Sequence, residues 1–230
     1  MSLRAYGIWS TVGKKILMAL TGLSLVGFVC VHLAGNLLLY AGPGAFNLYA
    51  HKLISMGPLI YLAEAILAGF FLVHMVSAVS VTWSNWKARP DSYKVSAGQG
   101  YSSRMNISSK TMIWTGIILG VFTVIHLINF KWGPGIEQGY TYNLDGEAVR
   151  DLYRLVTESF TREVYVIPYV ACMILLFSHL RHGFWSAFQS LGANHPSYMP
   201  IISAVGIVIA VVLGTGFLGI PIWFYLGGAA

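Results

Sequence analysis

Residues 59–86 read LIYLAEAILAGFFLVHMVSAVSVTWSNW, twenty-eight positions holding one acid, Glu64, one histidine, His74, and no lysine or arginine. A helix needs about 20 predominantly apolar residues to cross the hydrocarbon layer of a bilayer, so this stretch predicts a transmembrane helix. Four other stretches share its character, 16–41, 111–131, 164–188 and 199–226. Apolar residues make up 56% of the chain and charged residues 10%, too few charges to solvate a soluble core of this size. The expected fold is therefore an all-α integral membrane protein with five transmembrane helices in a single domain, 1–230. The first stretch is too long for a signal-peptide core and no small-residue cleavage site follows it, so it reads as a retained span.

The basic residues are unevenly shared between the two ends of these helices. One side carries Arg4, Lys14, Lys15, Lys87, Arg89, Lys94, Arg104, Lys110 and Arg181 against one acid, Asp91. The opposite side carries Lys52, Lys131, Arg150, Arg154 and Arg162, offset by Glu137, Asp145, Glu147, Asp151, Glu158 and Glu163. Positively charged loops stay in the cytoplasm, which predicts a cytoplasmic amino terminus in a bacterial inner membrane and an external carboxyl terminus. The net charge of +6 is mostly this asymmetry. It suits anionic lipid or an acidic partner and gives no sign of nucleic-acid binding.

Four of the five apolar stretches contain one deep histidine each, His32, His74, His126 and His179. At roughly 1.5 Å per residue, His32, seventeen residues past Lys15, and His126, sixteen past Lys110, lie roughly 25 Å from the cytoplasmic end. His74, thirteen residues before Lys87, and His179, nine before position 188, lie roughly 14–20 Å from it. Antiparallel neighbours in a four-helix bundle are then expected to pair as His32 with His126 and His74 with His179, each pair clamping one iron between opposed imidazoles. A single histidine in a span is as readily a hydrogen-bonded core residue. Four at matched depths point to two b-type haems, because ionisable residues inside a bilayer are costly and usually functional. A proton relay is the other functional reading of the same four. No C-x-x-C-H occurs, so a haem here is held without thioether links. Cys30 and Cys172 read as buried apolar residues.

Arg181 and His182, one turn beyond His179, are candidates for haem propionates or lipid headgroups, with plain interfacial placement as the alternative. His51 and His195 read as solvated loop histidines. Glu64, ten residues before His74, is a candidate for exchanging protons with a quinone near the outer haem, or else an interfacial carboxylate. Gly22, Gly27, Gly35, Gly69, Gly116 and Gly120 offer room for a porphyrin or for close helix packing. Outside the spans, 45–56 and 148–156 predict short amphipathic helices. Trp83, Trp86, Trp132, Trp185 and Trp223 read as an interfacial belt.

The segments Val31-His32-Leu33 with Gly35-Asn36, Phe71-Leu72-Val73-His74, Val121-Phe122-Thr123-Val124-Ile125-His126 and His179-Leu180-Arg181-His182-Gly183-Phe184-Trp185 together resemble the single-chain, five-helix dihaem cytochrome b anchor of succinate dehydrogenases and fumarate reductases, respiratory complex II. The resemblance covers essentially the whole chain and is most specific at His179, four residues before Gly183. It implies that the first four spans form the haem-binding bundle, with His74 and His179 on the inner haem and His32 and His126 on the outer. It further implies a flavoprotein subunit and an iron–sulfur subunit on the cytoplasmic face, which carry the dicarboxylate chemistry. Electrons then pass between that iron–sulfur subunit and a membrane quinone, commonly menaquinone in dihaem members. Two alternatives stand beside it: a cytochrome b of another kind, such as a hydrogenase or formate dehydrogenase anchor or a stand-alone transmembrane reductase, and a haem-free transporter. A transporter would call for broken helices and polar residues converging at the midplane, of which the spans show little.

Overall fold

A computed structural model describes Gly7, residues 10–88 and residues 107–228, with the side chains of 107–110 left undescribed. Arg4, Arg89, Asp91, Lys94 and Arg104, which contribute to the charge asymmetry, lie outside the described residues.

The described residues are about 81% helical. Helix α1 is Thr11–Asn36, capped by Ser10, whose hydroxyl accepts from the Gly13 amide at 3.1 Å. A 3₁₀ segment Leu37–Ala41 leads into α2, Pro43–Ile54. Then come α3, Pro58–Lys87, and α4, Ile107–His126, the latter continued by a π-helical turn, Leu127–Lys131. After a β-hairpin and α5, Leu152–Phe160, the chain closes with α6, Glu163–Ser190, and α7, Met199–Tyr225. Among the described residues, five helices are long and apolar enough to cross a membrane: Thr11–Ala41, Pro58–Lys87, Thr111–Lys131, Glu163–Ser190 and Met199–Tyr225. They match the five predicted stretches to within a few residues. Their outward faces are apolar, as a lipid solvent requires, with Val31, Leu72 and Ile201 all more than 60% exposed.

Helix α1 packs against α3 and α6, and α4 packs against α3 and α6, so these four helices contact one another in the cyclic order α1, α3, α4, α6. Their diagonals, α1 with α4 and α3 with α6, share little direct packing. Helix α7 lies outside this ring against α6 and, less extensively, α1. Small residues admit that close approach. A Cβ at Gly206 would come 2.8 Å from the Phe184 ring, one at Gly214 would come 3.0 Å from Phe177, and one at Gly216 would come 2.7 Å from Leu33.

Between spans, α2 forms much as the apolar spacing of 45–56 predicts. It starts earlier, because Gly42 turns the chain at φ 93° and Pro43 supplies the first helical residue. The expected helix over 148–156 is corrected. Residues Glu147–Arg150 form strand β2, which pairs antiparallel with β1, Thr141–Leu144, and the helix begins only at Leu152. The two-residue turn Asp145-Gly146 has φ 52° and 95°, the left-handed pair that a tight hairpin demands.

This hairpin, α2 and α5 form a cap over one end of the spans. Asn47 is fully buried and joins the pieces: its amide donates to Asp151 Oδ1 at 2.7 Å, and its carbonyl accepts from the Tyr153 amide at 3.0 Å. The same Asp151 oxygen caps α5 by accepting from the Arg154 amide at 3.0 Å. Arg150 reaches back to the carbonyls of Phe130, Lys131, Gly133 and Pro134 at 2.9–3.2 Å. It thereby satisfies the backbone acceptors that the end of α4 leaves open.

Candidate functional site

The four deep histidines fall on the four helices of the ring, His32 on α1, His74 on α3, His126 on α4 and His179 on α6. The expected pairs therefore sit on diagonal helices, and the expectation of antiparallel neighbours is corrected. Spans one and three run in the same direction, as do two and four. The His32 and His126 rings meet across the interior, between the diagonal helices α1 and α4.

At the end beneath the cap, the His32 and His126 rings meet edge-on, with centroids 5.8 Å apart and planes at 90°. Aromatic rings enclose them: Phe28 stacks on His32 at 5.4 Å, Phe217 of α7 lies 5.8 Å from it, and Phe122 and Phe130 flank His126 at 5.8 and 5.4 Å. The His126 Nδ1 lies 3.4 Å from the Tyr169 hydroxyl, which accepts from the Asn129 amide at 3.2 Å. Asn36, one turn beyond His32, places its amide 2.8 Å from the His32 carbonyl and 3.3 Å from Nε2.

At the other level, His74 Nδ1 lies 3.0 Å from the Met18 carbonyl of α1, and His179 Nδ1 lies 3.0 Å from the Thr115 hydroxyl of α4. The two imidazoles are near enough to interact electrostatically. Both rings lie directly on glycine backbone. A Cβ at Gly22 would sit 3.0 Å from His74 Cε1, and one at Gly116 would sit 3.4 Å from His179 Cε1. Of the other glycines singled out by sequence, Gly120 receives Met75 and Gly35 receives the Tyr49 ring, whereas a Cβ at Gly27 or Gly69 would meet nothing within 4 Å.

Glu64 forms an ion pair with Lys131, the last residue of the π-turn that follows His126, each about two-fifths exposed. The sequence gives no pattern for this partner, since sixty-seven positions separate the two. Arg181 is exposed. His182 packs edge-on against Trp185 at 5.2 Å, and its Nδ1 is buried with no hydrogen-bond partner among the described residues. His51 is not a loop residue: it is half-buried on α2, 3.9 Å from Glu147. His195 lies exposed in the turn before α7 and accepts from the Ser197 amide at 3.2 Å.

Two opposed nitrogens, each about 2 Å from one metal, put imidazole centroids roughly 6 Å apart, close to the 5.8 Å between His32 and His126. The spacing of the two imidazoles is compatible with a bis-imidazole haem at this level, where the Asn36 amide lies 3.3 Å from His32 Nε2. At the second level the fit rests on rings laid against glycines and held through Nδ1, the arrangement that aims Nε2. No group of three or more His, Cys, Asp or Glu able to hold a metal ion occurs among the described residues.

Fold and site together define an α-helical protein with five helices able to cross a membrane and paired histidines at two levels between four of them. Compared with known proteins, the chain matches no family model, no curated protein and no solved structure.

Proposed function

We propose that this protein is a two-haem membrane cytochrome b, the quinone-reactive anchor of a succinate dehydrogenase or fumarate reductase. The observation that carries the proposal is the ring of four helices with one deep histidine each, in diagonal pairs at two levels. His32 and His126 hold one haem beneath the cap. His74 and His179 hold the other toward the opposite end, and the ring of α1, α3, α4 and α6 is the haem-binding bundle. Bound haem supplies reversible one-electron transfer. The chain supplies the rest: it fixes the imidazoles, lines the outer level with Phe28, Phe122, Phe130 and Phe217, and excludes water.

Glu64, paired with Lys131 beside the π-turn after His126, is the group assigned to exchanging protons with a quinone at the capped end. Lys14, Lys15, Lys87 and Arg181 form the opposite, basic end, which faces the cytoplasm and receives the flavoprotein and iron–sulfur subunits. His182 and Arg181 lie at that end in reach of propionates or lipid headgroups.

The test is a pyridine haemochrome assay with redox titration of the purified chain. Two b haems are expected, with one lost in His126→Ala and the other in His74→Ala. A chain free of haem would sink the cytochrome reading. Copurification of a covalent-flavin subunit and succinate-dependent haem reduction separate complex II from a hydrogenase or formate dehydrogenase anchor.

A further inference from the structure

The geometry points to Thr115 as the residue that fixes the tautomer of His179, and thereby sets the reduction potential of the haem held by His74 and His179. This rests on the two-haem reading above and adds to it a positioning residue that the sequence does not mark.

A neutral imidazole carries one ring proton, and the partner of one nitrogen decides where it sits. The Thr115 hydroxyl lies 3.0 Å from the Met112 carbonyl and 3.0 Å from His179 Nδ1. With its single proton given to the Met112 carbonyl, the hydroxyl turns its oxygen lone pairs toward the ring. His179 Nδ1 must then be the donor, and Nε2 is left with its lone pair for a metal. Thr115 is 6% exposed, so water does not compete for these bonds.

His74 reaches the same tautomer independently, because its Nδ1 lies 3.0 Å from the Met18 carbonyl, again an acceptor alone. Gly22 admits that contact: Met18 lies one helical turn before it, and a side chain there would meet the ring. Each inner ligand is thus oriented from a neighbouring helix, His74 by α1 and His179 by α4.

In the outer pair no acceptor is fixed on Nδ1: the Asn36 amide, a donor, lies 3.3 Å from His32 Nε2 instead. Tyr169 can donate to His126 Nδ1 or accept from it, and its 3.4 Å separation is longer. An acceptor on the Nδ1 proton raises the basicity of Nε2 toward iron, which favours the oxidised metal. Removing the Thr115 oxygen should therefore raise the potential of one haem and leave the other unchanged.

The experiment is a potentiometric titration of the purified chain as wild type, Thr115→Val and Thr115→Ser. Valine keeps the volume and removes the hydroxyl, whereas serine keeps the hydroxyl. The expected result is two haems in all three, with one midpoint raised in Thr115→Val and restored in Thr115→Ser. Two haems with both midpoints unmoved in Thr115→Val would overturn the assignment while leaving the two-haem reading intact. A wild-type chain without haem would overturn both. Should the valine variant not accumulate, Thr115→Cys carries the same test, since a thiol is the weaker acceptor: its midpoint should also rise, and an unmoved one counts against Thr115.

Discussion

Single residues govern how closely the helices and imidazoles approach. Gly22 and Gly27 lie on the same helix and differ in what a methyl group would meet, the His74 ring at 3.0 Å in one case and nothing within 4 Å in the other. Gly22→Ala should push the ring off the Met18 carbonyl at a cost of about 1–3 kcal/mol and reduce inner haem occupancy. Gly27→Ala should leave it unchanged, and haemochrome spectra of the two variants decide the point. Glu64→Gln should lower quinone turnover with both haems retained; unchanged turnover would remove Glu64 from the proposed proton path. The sequence reveals the histidines and their depth, because a ring nitrogen in an apolar run stands out and helical rise converts position into height. Their Nδ1 partners are hidden, because Met18 contributes only its carbonyl and Thr115 looks like any hydroxyl bonding back into its own helix.

At the scale of elements, the cap is held by few but strong contacts. Arg150 binds four carbonyls with one planar guanidinium, a fork that lysine does not reproduce. Arg150→Lys should cost about 3 kcal/mol, given hydrogen bonds to charged groups worth roughly 1.5–3 kcal/mol each and partial replacement. Protease cleavage within 132–163 should increase accordingly. In the same region Arg154, and then Tyr140, hold the Glu158 carboxyl below the usual carboxylate range. A lowered folded value means that this contribution is present above an ordinary carboxylate pKa of about 4 and is lost as the pH falls through the lowered one. Cleavage of the cap should thus rise at the acid end in wild type, and less steeply in Glu158→Gln. The five spans are legible in the sequence from the length of its apolar runs. The hairpin was not read although its signal, Asp145-Gly146, is present, because four-residue strands are too short to show alternation and Ala148-Val149 merges with the helical pattern that follows.

At the scale of the whole molecule, the cyclic order of helices turns two sequence-distant pairs into facing ones. Depth along each helix predicted which histidines share a level, but depth says nothing about which helices are neighbours, and the diagonal arrangement had to come from packing. Five spans place the cap and the turn before α7 at opposite membrane faces. With Cys30 and Cys172 replaced by Ala, an impermeant maleimide should label Asp145→Cys in intact cells and Asn194→Cys only after lysis; the reverse pattern would invert the proposed orientation. The Asn47–Asp151 bond closes across 104 residues, with α3 and α4 both threaded between its partners. Helix α2 therefore leaves the ribosome two spans and a hairpin before the residues that bury Asn47 and bond its amide. A chain stalled before residue 151 carries α2 without the carboxylate that Asn47 bonds in the finished cap.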